Sequence, residues 1–310
     1  MRMTTRLRQL IAAPDLLMLP GAHDALSAKL AEEAGFDAIL IGGLPATGSL
    51  LAEPDTSQLG LSELAEHYRR AVTAIDIPVF VDGDTGFGNA VNARRTTREF
   101  ERAGVAGFFI EDQVFPKRCG HTPGKAVVPA ADMIAKLKAA LDARVDADLV
   151  IMARTDALAV EGLDAAIERA NLYREAGADV TFVEAPRTVE EMRRITAETE
   201  GPKFANMLSF GVSPELTAAQ LQEIGFSVAC WGMTSLFAMV HAVRAAYADL
   251  KAHGRESASR EAMVTFDEYN ALVGLPELRA LEDDCATFAE TLVEKDDGGA
   301  RSGATAPGNP

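Results

Sequence analysis

The segment Lys117-Arg118-Cys119-Gly120-His121 sets one thiol among two cations and an imidazole. Positive charge nearby favours the thiolate, so this spacing predicts a Cys119 pKa lowered toward neutrality. A thiol tuned that way can hand a proton to a carbanion near neutral pH. Gly120 and the following Thr122-Pro123-Gly124-Lys125 predict a mobile loop able to close over a substrate and exclude water. A nucleophilic thiol is the other reading, but no acyl-transfer constellation surrounds it. Cys230, inside an apolar run, and Cys285, in a late helical stretch, read as ordinary core cysteines.

A second set of residues is acidic. Asp82 and Asp84 stand in VFVDGDTGFGN and Glu111 ends FFIE. On an extended backbone, positions two apart share a face, so the two aspartates are expected to point the same way. With Glu111 they make an oxygen-only cluster, which needs a cation and selects Mg²⁺ or Mn²⁺ over zinc. The competing reading is a Gly-rich loop whose aspartates satisfy backbone amides. Further along, Arg154 and Asp156 lie in IMARTDA, Glu184 in TFVEA and Asn206 in FANM. A lone carboxylate in such a place can cap a helix, the plain reading of Asp112 and Asp156. Five successive apolar runs that each end in a charged or amide residue point instead to one shared site.

The elements that must carry these residues repeat. AEEAGFDAILIGG, FERAGVAGFFIED, YREAGADVTFVEA and LQEIGFSVACWG each join a helical stretch, a glycine and a β-rich run. Gly35, Gly104, Gly177 and Gly225 stand where a left-handed helix terminus is needed. Continuous apolar runs predict strands covered on both sides, as in parallel sheets under helices. Strands are expected near 17–20, 38–42, 79–82, 107–111, 149–154, 180–184, 204–207 and 228–231, each followed by a helical pattern. Eight such units with right-handed crossovers predict an α/β fold, a (β/α)8 TIM-type barrel whose chemistry sits at the C-terminal strand ends. An open doubly wound sheet is the alternative, though no GxGxxG follows the first strand. Residues 1–293 are expected to form one domain, the barrel plus a C-terminal helical extension. The polar, Gly- and Pro-containing stretch 294–310 is expected to be disordered.

The net charge of −16 excludes a nucleic-acid partner by supplying no basic stripe. No apolar run approaches the roughly 18 residues of a membrane span. Three cysteines without a CxxC pair argue against a disulfide framework and for a reducing cytoplasm. The leading Arg2, Arg6 and Arg8 read as part of an amphipathic helix rather than a transit peptide.

From about Leu17 to Gly254, through DGDTGFGN, IEDQVFPKRCGH, ARTDAL, GADVTFVEA and FANM, the sequence resembles the isocitrate lyase and phosphoenolpyruvate mutase superfamily. PKRCGH after IEDQ resembles its cysteine-bearing lyase branch. The resemblance implies a barrel whose eighth helix is exchanged between subunits of a homotetramer. It implies a magnesium site at Asp82, Asp84 and Glu111, partly through water, with Cys119 protonating an enolate inside a gating loop of Lys117, Arg118, Gly120 and His121. Arg154, Glu184 and Asn206 match residues that hold substrate carboxylates and hydroxyl. Ile41-Gly42-Gly43 aligns with a Ser-Gly-Gly strand end whose amides bind a 2-oxo acid, and Asp55 with an aspartate of a Leu-Pro-Asp loop. Ile41 in place of serine, the stretch 52–60 and the residues after Asn206 depart from the tricarboxylate-cleaving pattern.

The implied activity is Mg²⁺-dependent cleavage of a 2-hydroxy di- or tricarboxylate, such as 2,3-dimethylmalate or 2-methylisocitrate, to pyruvate or glyoxylate and a carboxylate. Glu184 and a metal-held hydroxide are alternatives for the first base. Oxaloacetate hydrolysis or decarboxylation and carboxyvinyl-carboxyphosphonate chemistry are the other enzymatic readings, and a binding module is the non-enzymatic one.

Overall fold

In the computed structural model, which describes residues 1–300 and side chains to residue 294, the eight expected strands all form. They are β1 (Leu17–Pro20), β2 (Ile39–Ile41), β3 (Val79–Asp82), β4 (Gly107–Glu111), β5 (Val150–Thr155), β6 (Val180–Val183), β7 (Lys203–Asn206) and β8 (Val228–Trp231). All pair in parallel, in the order β1-β8-β7-β6-β5-β4-β3-β2. The remaining seam, β1 to β2, is closed by one bridge, Gly21 to Leu40, with Ala22 N–H donating to the Leu40 carbonyl at 2.9 Å. The fold is the expected (β/α)8 barrel. Gly104 and Gly225, with φ of 85° and 108°, end their helices in the left-handed conformation that the repeat predicts.

Two layers of side chains decide what each strand offers the site. Leu19, Leu40, Phe80, Phe109, Met152, Phe182 and Phe204 point into the barrel and form one cluster. The helix Met3–Ala12 adds Leu7 and Ile11 to that cluster, so the basic leader is a structural helix. Ile39, Ile41, Val81, Phe108, Ile110, Ile151 and Ala153 belong to the outer cluster under the helices. Strand alternation therefore sends the residue two past each inward apolar side chain inward as well. Phe80 leads to Asp82, Phe109 to Glu111, Met152 to Arg154, Phe182 to Glu184 and Phe204 to Asn206.

The chain divides into two compact units, Met1–Ala242 and Val243 onward, where the sequence predicts one domain to 293. Asp249 binds Ser257 and Ser259 through side-chain and backbone donors at 2.7–3.0 Å, which fixes the turn after the helix Thr234–His253. The helices Phe266–Leu272 and Leu275–Ala300 follow. Residues 294–300 of the stretch expected to be disordered continue the last helix, and 301–310 lie outside the described residues. Among the described residues no helix is long and apolar enough to cross a membrane.

Candidate active site

At the C-terminal ends of the strands a cavity of about 70 Å³ is lined by Gly42, Gly43, Asp55, Asp82, Lys117, Cys119, Gly120, His121, Arg154, Glu184 and Asn206. Phe109, Phe182 and Phe204 make its floor. That volume holds a handful of waters. A larger cleft of about 880 Å³ lies on the other side of the 117–125 segment, and Leu44, Asp55, Lys117 and Cys119 line both spaces. The segment thus stands between the two spaces.

Two buried cations organise the charges. Lys117 Nζ lies 2.6 Å from Asp55 Oδ2, 2.9 Å from Asp84 Oδ1 and 3.9 Å from Asp82 Oδ2. Burial alone would lower its pKa, but these carboxylates outweigh it and hold the ammonium well above its usual value. Arg154 Nε lies 2.9 Å from Asp156 Oδ2, 3.2 Å from Glu111 Oε2 and 3.5 Å from Glu184 Oε2. Its guanidinium sits over the Phe182 and Phe109 rings, 5.3 and 5.9 Å from their centroids.

His121 Nε2 is 2.8 Å from Glu184 Oε1, while Val212 N–H donates to His121 Nδ1 at 3.1 Å. That donor puts the neutral ring's proton on Nε2, facing the carboxylate. Burial raises the Glu184 pKa, but Arg154 and His121 prevail and keep it below the usual carboxylate value. Asn206 donates from Nδ2 to Glu184 Oε1 at 3.3 Å and accepts from Cys230 Sγ at 3.3 Å. Cys230 is the core residue expected, in the inner cluster, and it also lines the cavity. Cys285 is exposed in the chain, not in a core.

Several expectations change. Cys119 has its pKa raised, because burial outweighs its backbone hydrogen bond and Arg154. The two flanking cations do not serve it: Lys117 turns to the aspartates, and the exposed Arg118 side chain turns to the Pro123 carbonyl at 3.4 Å. The thiol is half-buried and keeps its proton, as a donor must. Asp82 and Asp84 do not share a face by strand alternation. Asp84 lies past the strand with φ of 47°, its amide bonded to Asp82 Oδ1 at 2.8 Å, and only the loop's turn brings it to Lys117. Asp156 stands at the N-cap position of the short helix Ala157–Val160, but its side chain makes no capping bond, and no helix begins at Asp112. Asp112 faces the outer layer, accepting from Thr155 and Tyr173 hydroxyls at 2.7 and 2.8 Å. Asp156 grips Arg154 and Lys125. The Ile41 side chain is buried in the outer cluster, so only its backbone can serve the site, whereas Gly42 and Gly43 line it. Gly43 N–H is already held by Asp82 Oδ2 at 2.9 Å.

Two residues went unread. Gln113 clamps the loop, donating to the Arg118 carbonyl at 2.8 Å and accepting Arg118 N–H at 3.0 Å. Lys125 Nζ joins Asp156 Oδ1 at 2.7 Å. An amide two residues past β4 and a lysine six residues after the thiol were the available signals.

Among the described residues no three His, Cys, Asp or Glu side chains converge as a ready-made metal cage. Asp82 faces the cavity; Asp84 and Glu111 are buried behind it. Among the described residues Glu111 has no hydrogen-bond donor, its one close cation being Arg154 Nε at 3.2 Å from Oε2, and burial raises its pKa well above the carboxylate range against that pull. Buried carboxylate oxygens without donors are costly unless a cation comes near. This hard, oxygen-only set fits Mg²⁺ or Mn²⁺, reached by some donors through water.

The family model described as phosphoenolpyruvate phosphomutase matches residues 7–251. The chain is 41% identical over 287 residues to 2,3-dimethylmalate lyase of Eubacterium barkeri, covering 93% of this chain and 99% of that one. It is 40% identical to 2-methylisocitrate lyase of Aeropyrum pernix, covering 93% of each. A phosphonopyruvate hydrolase solved with oxalate and Mg²⁺ superposes with a TM-score of 0.83 at 32% identity, over 91% of this chain and 99% of that one.

Proposed function

The chain belongs to the phosphoenolpyruvate phosphomutase/isocitrate lyase superfamily, and from that premise we propose that it is a carbon–carbon lyase of 2-hydroxy dicarboxylates, releasing a 2-oxo acid. The observation that carries this reading is the Cys119 thiol, kept protonated by burial and lining one cavity with Arg154, Glu184 and Asp82. Arg154 anchors a substrate carboxylate. Glu184, held anionic by Arg154 and His121, takes the hydroxyl proton. The carbon–carbon bond breaks, its electrons remain on the departing carboxylate as an enolate, and Cys119 Sγ–H protonates that carbon. Mg²⁺ or Mn²⁺ held by Asp82, Asp84 and Glu111 supplies Lewis-acid charge to the hydroxyl and its neighbouring carboxylate when bound. The closed 117–125 segment keeps bulk water from the enolate.

Among the described residues Lys117 and Arg154 are the lysine and arginine side chains that line the cavity, and carboxylates already surround both. Leu44, Pro45, Leu208 and Met233 supply apolar wall. This supports an alkyl-substituted malate, such as 2,3-dimethylmalate, over a tricarboxylate. The helix Thr234–His253 exposes Phe237, Met239, Val240, Tyr247 and Leu250, which supports its exchange between subunits of a tetramer. Free cysteines support a reducing cytoplasm.

The test is a panel of 2-hydroxy diacids and triacids with Mg²⁺, following 2-oxo acid release. Oxaloacetate and a phosphonate serve as further arms. Pyruvate from alkyl malates is the expected result. Turnover of oxaloacetate or phosphonate alone would reassign the reaction.

A further inference from the structure

We propose that Lys125 is a positioning residue that latches the Cys119 segment onto the Arg154 anchor through Asp156. The Lys125 side chain is 2% exposed, with Nζ 2.7 Å from Asp156 Oδ1. The same ammonium donates to the Gly120 carbonyl, one residue from the thiol. Asp156, wholly buried, also accepts from Arg154 Nε at 2.9 Å and Nη2 at 3.1 Å. One carboxylate therefore holds both the guanidinium that anchors substrate and the ammonium that holds the peptide beside Cys119.

Gly120 is pressed against the same place. A Cβ there would lie 2.4 Å from Arg154 Nη2 and 2.6 Å from Glu184 Cγ, so only glycine lets the segment come down. Lys125 itself stands beside the anchored base of the loop. Val114 N–H donates to the Ala126 carbonyl at 2.8 Å, and Gln113 bridges Val127 in antiparallel fashion. Lys125 can thus stay with Asp156 while Gly120 lifts. The bond lost on opening is the one to Gly120, which makes it the latch.

The inference rests on the reading that Cys119 and Arg154 serve one substrate, but its test reads the loop without turnover. Iodoacetamide labelling of the full-length protein, resolved by site, reports Cys119 exposure, with Cys285 as the reference thiol. Lys125→Met removes a hydrogen bond to a charged group, so Cys119 labelling is expected to accelerate about 10- to 100-fold relative to Cys285. Lys125→Arg, which keeps charge and donors, is expected to stay within about threefold of the parent. If the methionine variant does not accumulate, Lys125→Gln gives the same comparison. With an alkyl malate, KM is expected to rise more than kcat falls. An unchanged Cys119 labelling rate in a folded Met or Gln variant overturns the latch, whether or not any lyase substrate is found.

Discussion

The two buried cations of the site each face three carboxylates, yet they are built differently. Arg154 stands on β5, two residues past Met152, and its place is set by barrel register. Lys117 arrives on a loop, between β4 and the helix Ala130–Ala143, and borrows Asp55 from another loop. The Arg154 set is permanent, because no loop motion removes the guanidinium from Glu111, Asp156 and Glu184. The Lys117 set is conditional. On the proposed opening of the segment, Asp55, Asp82 and Asp84 would lose their ammonium, and the uncompensated charge would favour a divalent cation in the same region. A barrel can thus keep one cation fixed for substrate carboxylates and deliver the other with closure.

Breaking the permanent set has the largest expected effect. Arg154→Met strands three buried carboxylates and is expected to cost about 3–5 kcal/mol of stability. Urea unfolding measures it, and added Mg²⁺ should recover little; full recovery would erase the distinction between the sets. Lys117→Met is expected to cost less, about 1–3 kcal/mol. Here millimolar Mg²⁺ should restore much of the melting temperature and EDTA should reverse it, since the metal replaces the missing charge. A Lys117 variant indifferent to Mg²⁺ would contradict the conditional role. The smallest effect is a slope. Burial raises the Cys119 pKa above its usual value near 9.0, so the thiolate fraction is low at neutrality and grows as pH rises past it. Iodoacetamide labelling of Cys119 should therefore climb steeply above pH 9, and a plateau already reached by pH 8 would restore the lowered pKa that the flanking cations suggest.

Barrel, strand positions and most of the cavity lining were legible in the sequence because apolar runs, glycine stops and polar strand ends are local signals. Which of two adjacent polar residues turns inward was not. Glu111 and Asp112 follow an unbroken apolar run, and only the pairing register turns one inward to Arg154, behind the cavity, and the other to Thr155 and Tyr173. Loop geometry was equally hidden. Lys117 beside Cys119 in sequence suggests an activated thiol, but its side chain turns to Asp55, 62 residues earlier. The meaning of Lys125 depends on Asp156, which sequence alone reads as a cap. The division into compact units at Val243 was also not legible, because no composition shift marks it.

On the proposed function, Cys119 delivers a proton to a carbanion formed by carbon–carbon cleavage. Turnover of an alkyl malate in D₂O, followed by NMR of the product carboxylate, tests it most directly. The parent protein is expected to place one deuterium at the α-carbon in a single configuration, and Cys119→Ser to lower kcat by about 10²- to 10⁴-fold with KM little changed. Undiminished turnover in the serine variant, or a racemic product from the parent, would contradict the account.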